Sequence, residues 1–200
     1  MLSQIKMSPW ACSYLFCYII YMTKVLLIRH AESTANKGDV AFGNFEAPLT
    51  DNALNNQIPN ARKELIEKYG INPDEYSRPV AVSEYYRTYQ TAKELGFRAI
   101  DEIEVFNESE IYQSDELASL DVIKKHVDDD GWLPEQELVR ARQIIENIKN
   151  GTFDYEIIFS HGMVIAGILS ELNRLGAMAI EPDNKRGYVP LQSQIIQIEI

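Results

Sequence analysis

The chain has no cysteine over most of its length. Its two cysteines, Cys12 and Cys17, lie within the first 21 residues, so no disulfide framework is expected to stabilise the rest. That absence fits a reducing compartment, and we expect a cytoplasmic protein. No run is long and apolar enough for a clear membrane-spanning helix, so no stable membrane association is expected. The sequence also lacks internal repeats, low-complexity tracts and Pro/Gly/Ser-rich linkers, and 200 residues suit one domain.

Basic residues are outnumbered. The 19 Lys and Arg residues face 30 Asp and Glu residues, for a net charge of -11. An acidic surface repels phosphate backbones, so nucleic-acid binding is not expected as the main function. A small phosphorylated substrate remains compatible with this charge, provided that its site gathers Arg and Lys locally.

The first 21 residues differ from the remainder. They contain one charge, Lys6, and an apolar aromatic run over residues 10–21. Such a segment resembles a signal peptide, but no small-residue cleavage site follows it. The chain instead continues almost directly into a strand-like run. We favour an extension from an upstream start codon, with Met22 as the true start and one domain over residues 22–200. Secretion or anchoring is expected only if the segment is a genuine signal.

Short apolar runs alternate with helical patterns along the domain. This alternation predicts an α/β fold, a three-layer αβα sandwich with a mainly parallel central sheet. The predicted strands are Val25–Ile28, Pro79–Ser83, Ile103–Phe106, Tyr155–Ser160 and a final edge strand, Ser193–Ile200. The predicted helices are Thr50–Tyr69, Tyr85–Leu95, Asp115–Val127, Pro134–Asn150 and Gly162–Leu175.

Charged and polar residues follow the predicted parallel strands, where ligands bind in such a sheet. Each residue alone would more often be structural than catalytic. Together they deliver two arginines, two histidines and a carboxylate to one rim, and a buried arginine needs an anion such as phosphate. The residues in question are Arg29, His30, Ser33, Asn36, Ser83, Arg87, Glu108, His161 and Gly162.

These residue types suit phosphoryl transfer. A neutral imidazole attacks phosphorus when its other ring nitrogen is held as a donor, usually by a backbone carbonyl. Two guanidinium groups and a second histidine can neutralise the equatorial oxygens. Gly162 allows close backbone approach, and the helix that begins there offers free N–H groups. A carboxylic acid with a raised pKa can protonate the leaving alkoxide and then activate water. We expect no metal and no cofactor.

Four motifs in order resemble the histidine phosphatase superfamily, also called phosphoglycerate-mutase-like. The segment at 27–36 resembles that family's R-H-G-x-[ST]-x-x-N signature, and residues 48–50 its P-L-T entry to the first helix. The segment at 83–92 matches S-x-x-x-R-x-x-Q-T-A, and residues 159–165 match the second-histidine motif.

The resemblance implies a role for each matching position. His30 would be the phosphorylated nucleophile. Arg29, Arg87 and His161 would form the phosphate pocket and act in catalysis, with Asn36, Ser33 and Gly162 adding phosphate contacts. Glu108 would be the acid, with Glu110 as the alternative. The remaining histidine, His126, is interpreted as a solvated helix end rather than a metal ligand.

The chain departs from the family pattern in three places. Ala31 replaces the usual glycine after the nucleophile, and residues 109–114 do not match the family's substrate-contacting stretch. The region between Glu108 and the helix at Pro134 is short, which favours hydrolysis over transfer. We therefore expect a metal-independent phosphatase acting on small phosphomonoesters. The alternatives are a phosphoglycerate-mutase-type phosphotransferase, a protein phosphohistidine phosphatase and a binding module without activity. The sequence does not indicate an oligomeric state.

Overall fold

The computed structural model describes residues 23–38, 43–108, 133–177 and 188–200. The extension over residues 1–21, the alternative acid Glu110, the helix predicted over Asp115–Val127 and His126 lie outside these ranges. Within them, no helix combines the length and the hydropathy needed to cross a membrane.

Five strands form the central sheet: β1 (Lys24–Arg29), β2 (Val80–Val82), β3 (Ile100–Glu102), β4 (Ile157–Ser160) and β5 (Ile195–Glu199). Their spatial order is β3-β2-β4-β1-β5. The first four strands are parallel, and β5 pairs antiparallel with β1 at the edge of the sheet. The predicted mainly parallel sheet with a final edge strand is confirmed.

Helices connect and cover the strands: α1 (Thr34–Lys37), α2 (Ile58–Tyr69), α3 (Tyr86–Leu95), α4 (Glu135–Lys149) and α5 (Gly162–Arg174). A π-helical turn, Ala53–Gln57, precedes α2, so the helix predicted from Thr50 is irregular in its first part. The Thr50 hydroxyl still caps this segment, because it accepts the Ala53 N–H at 3.2 Å. Gly70 ends α2 in the left-handed conformation, with φ of 69°, which glycine adopts without steric cost.

Both faces of the sheet are buried, which explains the continuous apolar run of β1. Leu26 and Ile28 point toward α2 and α3, where Leu65 and Leu95 lie in the same cluster. Successive strand side chains alternate between faces, and Leu27 packs in the opposite cluster with residues of α4 and α5. The molecule is therefore the predicted three-layer αβα sandwich.

One strand prediction is wrong. The residues expected to form the third strand, Ile103–Phe106, contain a 3₁₀ turn over Glu104–Phe106. The strand itself is Ile100–Glu102, which pairs with β2 on one side only. An edge strand that is half exposed carries no apolar run, so its position left no signal in the hydropathy pattern.

Candidate active site

His30 and His161 lie side by side because β1 and β4 are in register. Arg29 pairs with Ser160 at the ends of these strands, so the next residue of each strand is a histidine. The His30 N–H donates to the Ser160 carbonyl at 3.0 Å. Both side chains are buried, and their ring centroids are 5.1 Å apart.

The His30 ring has a defined tautomer. Its Nδ1 lies 2.7 Å from the Ala31 carbonyl oxygen. A carbonyl only accepts hydrogen bonds, so Nδ1 carries the hydrogen and Nε2 keeps its lone pair. The Ala31 backbone is fixed in turn, since its N–H donates to the Thr91 hydroxyl at 3.0 Å.

Arg87 reaches the histidines from the first turn of α3. Its side chain is only 1% exposed, and the guanidinium carbon lies 4.3 Å above the Tyr85 ring. Its Nη1 donates to the Asn44 carbonyl at 3.2 Å, and its Nη2 lies 3.4 Å from His161 Nδ1. The guanidinium is thus held beside the second histidine, where its positive charge suits an anion.

Arg29 approaches from the end of β1 and is half-buried. Its Nη1 donates to the Pro190 carbonyl at 2.6 Å. Gly162 makes this position possible, because a Cβ atom on that residue would lie 3.1 Å from the Arg29 guanidinium carbon and 3.0 Å from Val189 Cγ1. The absence of a side chain at Gly162, the first residue of α5, therefore leaves room for the Arg29 guanidinium.

Ser33 and Asn36 shape the loop after β1. The Asn36 side-chain oxygen accepts both the Ser33 N–H and the Ser33 hydroxyl, each at 3.0 Å. The single Ser33 proton is used in that bond. The amide nitrogen of Asn36 is consequently the group of this pair that can donate to a phosphate.

Glu108 lies beside His161, two residues after the 3₁₀ turn. It is 4% exposed, and its Oε2 lies 3.5 Å from His161 Nδ1. Two contacts hold the turn: Ser160 Oγ donates to the Phe106 carbonyl at 2.8 Å, and Arg140 Nη1 donates to the Asn107 carbonyl at 2.6 Å. Glu108 is therefore placed by its neighbours rather than by a strand end.

Burial shifts the pKa values of these groups in opposite directions. Desolvation raises the pKa of Glu108 to about 7, although Arg87 and Arg29 act against the shift. Desolvation lowers the pKa of His30 well below its usual range, and the Arg87 and Arg29 charges lower it further. The pKa of His161 is lowered by burial and by Arg87 in the same way. A neutral nucleophile and a protonated acid can thus coexist near neutral pH.

Four further residues complete the site, of which Ser83 is in the set that follows the predicted strands and Thr91 was given no role from the sequence. Arg140 of α4 holds the backbone next to Glu108, and Tyr85 is fully buried with its ring 4.9 Å from His161. Ser83 and Thr91, which lie within the quoted motif, contact His161 and the Ala31 backbone. Their place in the motif was the available signal. In residues 23–38, 43–108, 133–177 and 188–200, no three His, Cys, Asp or Glu side chains are grouped as metal ligands.

The family model of the histidine phosphatase superfamily (branch 1) matches residues 25–183. Among solved structures, phosphoserine phosphatase from Entamoeba histolytica in complex with 3-phosphoglyceric acid is 18% identical, with a TM-score of 0.57 over 90% of this chain and 94% of that chain. A mycobacterial glucosyl-3-phosphoglycerate phosphatase complexed with VO3 is 17% identical, with a TM-score of 0.53 over 88% of this chain and 90% of that chain. No curated protein matches the chain. At these identities the two structures are similar in fold.

Proposed function

Since the chain belongs to the histidine phosphatase superfamily (branch 1), we propose that it hydrolyses small phosphomonoesters through a phosphohistidine on His30. The observation that carries the proposal is the orientation of the His30 ring. Its Nδ1 donates a hydrogen bond to the Ala31 carbonyl. Its Nε2 lone pair is the nucleophile in a site that also holds Arg87 and His161.

The first step transfers the phosphoryl group to the enzyme. His30 Nε2 attacks phosphorus as the bond from phosphorus to the ester oxygen breaks. Arg29, Arg87 and His161 bind the phosphoryl oxygens, and their fixed positions stabilise the charge without reorganisation. Glu108, protonated because it is buried, gives its proton to the leaving alkoxide. The products are phosphohistidine, a free alcohol and the Glu108 carboxylate.

The second step restores the enzyme. The Glu108 carboxylate takes a proton from water as the water oxygen attacks phosphorus. The bond from phosphorus to His30 Nε2 breaks, and inorganic phosphate leaves. The neutral imidazole and the protonated carboxyl are regenerated, so the cycle requires no metal and no cofactor. The phosphoserine and glucosyl-3-phosphoglycerate phosphatases among the similar structures support a phosphomonoester as the substrate.

Phosphate release from a panel of phosphomonoesters, with and without a chelator, tests the proposal. We expect activity that survives the chelator, is inhibited by vanadate and is lost in His30→Ala. Brief incubation with a labelled ester should leave an acid-labile phosphoryl group on the protein, absent from that variant. Activity that the chelator abolishes, or full activity in His30→Ala, would refute the proposed mechanism. Transfer to an added alcohol or to a phosphoglycerate in preference to water would instead identify a mutase.

A further inference from the structure

We propose that Ser83 and Thr88 are positioning residues that hold His161 in the tautomer with its hydrogen on Nε2, so that Nδ1 faces the phosphate pocket. The inference rests on the proposed function where it assigns His161 to phosphate binding. The tautomer itself follows from hydrogen-bond geometry. All three side chains are fully buried, so water does not compete for these bonds.

Thr88 sets the direction of the hydrogen bonds that link Thr88, Ser83 and His161. Its hydroxyl oxygen lies 2.9 Å from the Ser83 carbonyl and 2.7 Å from the Tyr85 carbonyl. Carbonyls only accept, so the single Thr88 proton is donated to one of them. The Ser83 hydroxyl lies 2.9 Å from the Thr88 hydroxyl, and with the Thr88 proton already used, Ser83 must be the donor.

The Ser83 hydroxyl then has no proton left for the histidine. Its oxygen lies 2.7 Å from His161 Nε2. A hydrogen bond at that distance requires one proton, and only the ring nitrogen can supply it. His161 therefore carries its hydrogen on Nε2. The Tyr85 N–H also donates to the Ser83 oxygen, at 3.3 Å, which is consistent with Ser83 as an acceptor.

A second contact leads independently to the same tautomer. Arg87 Nη2 lies 3.4 Å from His161 Nδ1. A guanidinium group has no lone pair to offer, so a hydrogen bond between the two requires the lone pair of Nδ1. Glu108 Oε2, 3.5 Å from the same nitrogen, fits this tautomer when its carboxyl is protonated, because it can then donate to Nδ1. The opposite tautomer would direct the Nδ1–H of His161 at an N–H of Arg87. The hydroxyl chain on one side of the ring and the guanidinium on the other thus favour the same arrangement.

The arrangement has a consequence when an anion enters. Burial and the surrounding cations lower the pKa of His161, so the ring is neutral in the free enzyme. The charged or titratable groups around it are Arg87, Arg29, Arg140, His30, Glu108 and Tyr85. A bound phosphate offsets the cations, and one proton from solvent can then add to the vacant Nδ1. The Nε2–H bond to Ser83 is kept, and Nδ1–H becomes a donor to a phosphoryl oxygen.

Nitrogen-15 spectra of the histidine rings test the inference without relying on activity. In the free enzyme we expect Nε2 of His161 to resonate as a protonated nitrogen and Nδ1 as an unprotonated one. Vanadate should convert Nδ1 to the protonated type. Thr88→Val removes the acceptor for the Ser83 proton, so Ser83 can donate to Nε2 and the Nδ1–H tautomer should become populated. Thr88→Ser should restore the original spectrum.

Thr50→Val is the matched control, since it removes a buried hydroxyl at the start of the α2 segment without touching His161. We expect Thr88→Val to lower kcat/KM about tenfold, in line with one buried hydrogen bond, while Thr50→Val keeps the original His161 spectrum. If Thr88→Val does not fold, Ser83→Ala should give a mixture of tautomers. A wild-type His161 with its hydrogen on Nδ1, or the same His161 spectrum in wild type and in the folded Thr88 or Ser83 variant, would overturn the inference. Spectra that respond as expected in a protein without phosphatase activity would overturn the proposed function and support the inference.

Discussion

Glu108→Gln should abolish most of the hydrolysis of alkyl phosphates and spare aryl phosphates. The amide has nearly the shape of the acid but cannot give a proton to a departing alkoxide. An alkoxide is a poor leaving group, so its departure depends on that proton. A nitrophenolate is a good leaving group, and it departs with little assistance.

The expected size of the effect follows from the environment of Glu108. Burial raises its pKa from 4.5 to about 7. At pH 7 about half of the Glu108 side chains are protonated, against about 0.3% for an unperturbed carboxyl. General acid catalysis contributes about 10²- to 10⁴-fold. We therefore expect kcat/KM for glycerol phosphate to fall at least about 100-fold at pH 6, and that for nitrophenyl phosphate to fall about tenfold or less.

The same substitution should stabilise the protein at neutral pH. Because the pKa of Glu108 is raised on folding, the folded state binds more protons than the unfolded state between pH 4.5 and about 7. The free energy of unfolding contributed by this group therefore falls as pH rises through that window. The penalty reaches about 3 kcal/mol at pH 7 as an upper limit. Urea denaturation of Glu108→Gln should show a gain at pH 7.5 that vanishes below pH 4.5.

The control for both measurements is Glu104→Gln, an exposed carboxylate at the start of the 3₁₀ turn that precedes Glu108. It should behave as the wild type in hydrolysis and in stability. If Glu108→Gln lowers kcat/KM equally on alkyl and aryl esters, the role of Glu108 as the acid is refuted, because a structural defect would slow both reactions. Full activity on alkyl esters would place the acid elsewhere, with Glu110 as the first alternative, or would indicate a phosphohistidine substrate.

Two further substitutions test other parts of the structure. Gly162→Ala should raise the inhibition constant for inorganic phosphate about tenfold, because the added Cβ displaces the Arg29 guanidinium; unchanged phosphate affinity with a normal fold would contradict that reading. Glu171→Gln should lower the free energy of unfolding by about 1–3 kcal/mol in urea, because this buried carboxylate accepts bonds from Arg142 at 3.1 Å and from Arg174 at 3.0 Å. The exposed Glu135→Gln, which loses one surface ion pair with Arg142, should change it by less than about 1 kcal/mol.

The sequence predicted those parts of the fold that depend on local pattern. The strands β1 and β4 are continuous apolar runs because helices cover both faces, and the residues that follow them meet at one rim because the strands are parallel neighbours. Hydropathy therefore predicted that His30 and His161 would lie at the same rim of the sheet, but not that their strands would be adjacent. The position of β3 was wrong because an edge strand with the sequence Ile-Asp-Glu lacks that signature.

Contacts between residues far apart in the chain were beyond sequence reasoning. The close approach of Gly162 to Arg29 joins the start of α5 to the end of β1, and the hydrogen bond from Arg140 to the Asn107 carbonyl joins α4 to the turn. Neither contact is marked by a hydrophobic periodicity or by a fixed spacing of residues in the sequence. The Ser83 hydroxyl could be read as part of a motif, but the direction of its hydrogen bonds depends on where Thr88 and two carbonyl groups lie.

The site solves a problem of protonation that ordinary pKa values would leave open. The proposed hydrolysis needs a neutral His30 and a protonated Glu108 in the same molecule. With reference pKa values of 6.5 and 4.5, both conditions would hold in only about 1% of molecules even at the optimum, pH 5.5. Burial disfavours the charged form of each group, so it lowers the pKa of the histidine and raises the pKa of the carboxyl. The order of the two pKa values is thereby reversed. The Arg87 and Arg29 charges lower the pKa of His30 further but oppose the rise in the pKa of Glu108, so desolvation must dominate at Glu108. The burial of Glu108, which the turn before it and its neighbours produce, is therefore as necessary to the proposed chemistry as the acid itself.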